Sequence, residues 1–82
     1  MTEMKITNQI RRLRFDRGEM THQQLADKAG VTRQTIIAIE AAKYAPSLPL
    51  AFRLAHAFGV PLEEVFQYHP NGDISSPQPD KS

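Results

Sequence analysis

Apolar residues recur at helical spacing in five stretches of this chain, each bounded by a residue type that starts or stops a helix. The densest signal runs from His22 to Ala41. Leu25, Ala26 and Ala29 share one helical face, Ile36 and Ile39 share another, and Gly30 stands between them where a left-handed turn residue is needed. Thr21 and Thr32 occupy the two N-cap positions, and Thr21 with Gln24 has the spacing of a capping box. Ala26 is small enough to let the two backbones approach closely. The pattern predicts two short helices joined by one tight turn, a helix-turn-helix over residues 22–41.

Three further helices surround this pair. Thr7 or Asn8 can cap a first helix that runs to about Arg17, with Ile10 and Leu13 inward and Gly18 as its stop. Ser47 caps a fourth, tolerates Pro49 in its first turn, and buries Leu50, Ala51, Leu54, Ala55 and Phe58 before Gly59. Pro61 opens a short fifth helix with Leu62, Val65 and Phe66 on one side and Glu63 and Glu64 on the other. Met4-Lys5-Ile6-Thr7 and Gln67-Tyr68-His69 are short and alternating, and can pair as a small antiparallel ribbon. The expected architecture is all-α with five helices. An arm over residues 1–9 precedes the domain at 10–69, and a Pro-rich tail at 70–82 has the composition of disorder.

Composition narrows the setting. At 82 residues there is room for one domain, and without cysteine neither a disulfide framework nor a thiolate metal site can support it. No apolar run approaches the ~18 residues that span a bilayer, and Met1-Thr2-Glu3-Met4 lacks the regions of a signal peptide. A soluble cytoplasmic protein is expected. The net charge of +1 conceals an asymmetry: residues 1–58 carry nine basic groups against five acidic ones, and residues 59–82 one against four. The half containing the helix-turn-helix is therefore the half suited to a polyanion.

Such a unit presents the start of its second helix to a DNA major groove. Here that start carries Arg33, Gln34 and Thr35. An arginine can donate two hydrogen bonds to guanine and a glutamine can pair bidentately with adenine, whereas Ile37 and Ala38 can sense only a thymine methyl or a shape. Catalytic alternatives are poor. Glu63 and Glu64 are adjacent and diverge, His22, His56 and His69 lack ligand spacing, and no glycine-rich phosphate loop exists. Neither an enzyme, a metal site nor a cofactor is expected. Arg11, Arg12, Arg17, Lys28 and Arg53 read as solvent-facing charges, any of which can add a phosphate contact.

From about Ile10 to Tyr68 the chain resembles the Cro/cI-type helix-turn-helix family, also called the xenobiotic-response-element family. Its compact single-domain members share Arg33-Gln34-Thr35-Ile36, Lys43-Tyr44-Ala45-Pro46-Ser47-Leu48 and Gly59-Val60-Pro61-Leu62-Glu63-Glu64-Val65-Phe66. The resemblance implies a five-helix, lambda-repressor-like domain that binds a pseudo-palindromic double-stranded operator as a homodimer, usually as a repressor. It also implies that Arg33, Gln34, Thr35 and Ala38 face the groove, that His22, Thr32 and Lys43 lie near phosphates, and that Arg14 and Glu40 form a structural ion pair. The chain departs from the pattern in three places. His22 stands where many relatives have glutamine, Glu19 is an extra residue after the first helix, and Ala41-Ala42 replaces a glycine at the end of the third, where positive φ would strain an alanine.

Val65, Phe66 and Tyr68 form an apolar C-terminal edge expected at a two-fold interface. A second function class uses the same fold: an antitoxin that holds a toxin through the tail or the fifth helix and represses its own operon. An adjacent small toxin gene would distinguish it. A DNA-independent adaptor is a third class, which predicts no salt-dependent retention on DNA.

Overall fold

The computed structural model describes residues 5–70, which form five helices and two strands. Strand β1 (Lys5–Asn8) leads into α1 (Ile10–Asp16), the pair α2 (His22–Ala29) and α3 (Arg33–Glu40), then α4 (Leu48–Phe58), α5 (Leu62–Val65) and β2 (Phe66–His69). Of the expected tail at 70–82 all but Pro70, and of the expected arm at 1–9 the first four residues, lie outside the described residues.

The caps read from the sequence for α2, α3 and α4 are formed, whereas the N-cap position of α1 falls on Gln9, which makes no side-chain cap bond, and not on Thr7 or Asn8. Gln24 N–H donates to Thr21 Oγ1 at 3.0 Å while Thr21 N–H donates to Gln24 Oε1 at 2.8 Å, closing the capping box of α2. Leu50 N–H donates to Ser47 Oγ at 3.3 Å and starts α4. Gly30 and Gly59 take φ of 75° and 73°, so the chain reverses after α2 and α4 without a Cβ in the left-handed region. Asn8, one of two candidates for capping α1, has the longer reach: Oδ1 accepts from Ile10 N–H at 3.1 Å, and Nδ2 donates to the Ile39 carbonyl at 3.1 Å. One side chain thus joins the start of α1 to the end of α3.

Ile10, Leu25, Ile36, Ile39, Leu54 and Val65 are the largest fully buried side chains, one or more from every helix. Ala26 and Ala29 are buried between them, where a larger residue would separate α2 from its neighbours. Met20, in the turn between α1 and α2, is also buried, a core position outside any helical period and so not apparent in the pattern. Among the described residues no polar or charged residue is buried.

The ribbon exists and pairs antiparallel in the register Ile6 with Tyr68, Thr7 with Gln67 and Asn8 with Phe66. It takes Phe66 from the fifth helix to which the periodicity assigned it. That helix ends at Val65, and Phe66 is extended (φ −125°, ψ 136°) because its backbone pairs with β1, continuous with the 2.9 Å bond from Gln9 N–H to the Val65 carbonyl. Alternation along the strands puts Ile6, Asn8, Phe66 and Tyr68 on one face. Thr7 stands on the other face, where its Oγ1 lies 3.3 Å from Gln67 Oε1 and 3.0 Å from His69 Nε2.

Candidate nucleic-acid interface

Helix α3 is fixed at both ends and along its inner face. Ile36 and Ile39 anchor it in the core. At its start Thr35 N–H donates to Thr32 Oγ1 at 3.2 Å, and the two hydroxyls lie 3.0 Å apart. The Thr35 hydroxyl is engaged with Thr32 within the chain and keeps further hydrogen-bonding capacity, and its methyl is free of any polar partner. At its end Arg14 donates from Nε to Glu40 Oε1 at 2.9 Å and from Nη2 to Oε2 at 3.1 Å, while Nη1 donates to the Met20 carbonyl at 2.9 Å. The expected Arg14–Glu40 pair is present, and its fork geometry sets direction as well as attraction.

His22, expected beside a phosphate, lies with Nε2 3.3 Å from Glu40 Oε1 in the free chain. The first residue of α2 and the last of α3 thus meet at one carboxylate, which couples the angle between the helices to the α1 pair.

Beyond Glu40 the exit of α3 is a Schellman turn on an alanine. Ala42 takes φ 62°, Ala42 N–H donates to the Ile39 carbonyl at 2.9 Å, and Lys43 N–H donates to the Ala38 carbonyl at 2.9 Å. The turn closes on an alanine where a glycine is usual, at the cost of a strained backbone. Lys43 is exposed, folded back against the last turn of α3.

What remains at the front of α3 is Arg33 and Gln34. Both side chains are exposed, and among the described residues neither has a hydrogen-bond or ion-pair partner. Ala38 is partly buried on the same helix. Arg33, Ile37 and Ala41 line an open groove whose other walls are the outer face of α1 and the start of α2. Two bidentate-capable side chains therefore project from a helix that the rest of the chain holds still.

A helix-turn-helix family model matches residues 10–65, more than half of the chain. The chain belongs to the Cro/cI-type helix-turn-helix family. This helix-turn-helix protein is 59% identical over 49 residues to an uncharacterized HTH-type transcriptional regulator of Methanocaldococcus jannaschii, covering 60% of this chain and 74% of that one. It is 46% identical over 57 residues to one from Archaeoglobus fulgidus (70% and 80% covered). It is 42% identical over 59 residues to the uncharacterized HTH-type transcriptional regulator YgzD of Bacillus subtilis, with 72% and 88% covered.

Two arginines read as plain solvent-facing charges in this helix-turn-helix protein also have structural partners. Arg17 Nε donates to the Phe58 carbonyl at 2.9 Å and Arg53 Nε to the Ala29 carbonyl at 3.0 Å, so each closes a helix C-terminus with a positive charge. No local pattern marks such contacts, because the partners lie 41 and 24 residues away. Of the residues expected at a two-fold interface, Tyr68 is exposed and Phe66 partly buried, whereas Val65 is fully enclosed in the protomer's own core and offers no surface. Sequence reasoning missed further exposed apolar groups, of which Ile6 pairs with Tyr68 across the ribbon. Ile6, Tyr44 and Leu48 are each half or more exposed and, with Phe66, line one groove.

Proposed function

We propose that this chain is a sequence-specific transcriptional repressor that binds a pseudo-palindromic DNA operator as a homodimer and acts by occluding the promoter. The observation that carries the reading is the pair Arg33 and Gln34, exposed and without partners among the described residues at the start of a helix clamped at its other end. Arg33 reads guanine through O6 and N7, and Gln34 reads adenine through N6 and N7. Thr35 contributes its methyl, and Ala38 allows close approach or meets a thymine methyl. Thr32, His22 and Lys43 meet phosphates on either side, which sets the depth of α3 in the groove. The names of the relatives, all transcriptional regulators, support the same class.

The dimer reading is supported by the apolar groups Ile6, Tyr44, Leu48 and Tyr68, whose exposure is unfavourable in a lone protomer. Pairing two such faces sets the recognition helices about 34 Å apart, one turn of B-DNA. Selection of bound duplexes from a random pool tests the whole reading. Two inverted half-sites with centres about 10 base pairs apart are expected. Recovery of no common sequence would overturn it.

A further inference from the structure

The arginines of α1 do not have equal freedom. Arg12 is held by Gln9 Oε1 at 3.2 Å and lies 3.9 Å from Asp16, Arg14 is held by Glu40, and Arg17 by the Phe58 carbonyl. Arg11 is exposed, and among the described residues it has no hydrogen-bond or ion-pair partner. One helical turn further, on the same face of α1, stands Phe15, 66% exposed. Both line the groove that Arg33 lines from α3.

An unpaired cation and a bare aromatic ring, side by side and facing the recognition helix across a groove, suit a surface that is anionic and partly apolar. The sugar-phosphate backbone of DNA has that composition. The acids of the groove do not oppose it: Glu40 is neutralised by Arg14, which leaves Glu19 against Arg11 and Arg33.

We propose that the Arg11–Phe15 face of α1 is an outer DNA-backbone contact, with Arg11 on a phosphate and Phe15 against the neighbouring deoxyribose. This inference rests on the reading of α3 as the helix that enters the major groove. It extends the footprint along the strand flanking the bases that Arg33 meets. Arg11 adds affinity without sequence preference, whereas Phe15 removes its ring from water on binding.

The test is salt-dependent binding of the full chain to a fluorescent duplex recovered by random-pool selection and to an unrelated duplex, for wild type, Arg11→Gln, Arg11→Lys, Phe15→Ala and Arg33→Ala. Loss of one phosphate contact lowers the slope of log affinity against log salt by about 0.9. Between 50 and 200 mM salt that is a change of about 3.5-fold in the affinity ratio. Arg11→Gln should lose that amount on both duplexes, Arg11→Lys should restore it, and Phe15→Ala should weaken both duplexes with an unaltered slope. All four variants should unfold at the wild-type temperature or close to it, because the substituted side chains are exposed. If Arg33→Ala loses selectivity while Arg11→Gln keeps the wild-type slope, the outer contact is overturned and the reading of α3 stands. If the wild type binds neither duplex, the reading of α3 falls with it.

Discussion

Arg14 grips both oxygens of Glu40, at 2.9 and 3.1 Å, and so ties the first helix of the chain to the last residue of the third. The two side chains are only 15% and 18% exposed, which removes most of the solvent screening that makes surface pairs nearly neutral. Charge-assisted bonds in such a setting contribute roughly 1.5–3 kcal/mol. A double-mutant cycle with Arg14→Ala and Glu40→Ala in urea should return a coupling in that range. A coupling near zero would mean that the pair orients α3 without stabilising it.

Ala42 and Gly30 make opposite predictions from the same backbone conformation. Ala42 holds φ 62° with a Cβ, whereas Gly30 holds φ 75° without one. A Cβ added at Gly30 would meet nothing within 4 Å, so its cost is conformational alone. Left-handed backbone costs an L-residue roughly 1–2 kcal/mol, partly offset by the greater freedom of glycine in the unfolded chain. Ala42→Gly should therefore raise stability by about 0.5–1 kcal/mol and Gly30→Ala should lower it by a similar amount. Thermal melts of the two variants check both signs, and a destabilised Ala42→Gly would contradict the turn at the exit of α3.

Removal of the α3 cap should act on stability more than on base choice. Thr32 supplies the acceptor for Thr35 N–H, and loss of such a cap costs about 1 kcal/mol. Thr32→Ala should lower the urea midpoint by the corresponding amount, and Thr32→Ser should restore it. An unchanged midpoint for Thr32→Ala would mean that α3 does not depend on its cap.

The proposed self-association face can be probed where it is most exposed. Tyr68 and Leu48 are 57% and 62% exposed, so a charge at either should leave the protomer folded. Tyr68→Glu and Leu48→Glu should shift sedimentation from dimer to monomer at micromolar concentration while circular dichroism is unchanged. A wild type that sediments as a monomer with and without operator would remove this interface.

Much of this was legible because the determinants are local. The caps at Thr21, Thr32 and Ser47, the turns at Gly30 and Gly59, and the inward faces of α1 to α4 each depend on residues within a few positions of one another. Phe66 was misassigned because a four-residue helix and a strand compete over it, and a partner nearly sixty residues away decides the outcome. Separations of 41 and 24 residues likewise hid the partners of Arg17 and Arg53, whose charges look solvent-facing until the helix ends they close are in place. Val65 looked like surface because an apolar edge in a sequence does not say which side of it is already covered. The front of α3 was legible as chemistry, in the residue types of Arg33 and Gln34. That these two lack partners among the described residues is information only the fold supplies.

The measurement that bears most directly on α3 as the reader of sequence is the affinity of wild type, Arg33→Ala and Gln34→Ala for the selected operator and for operators carrying single base-pair changes. Each substitution should remove about 1–3 kcal/mol of discrimination at one base pair in each half-site and leave the other positions as selective as before. Unchanged discrimination at every position in both variants would contradict the account.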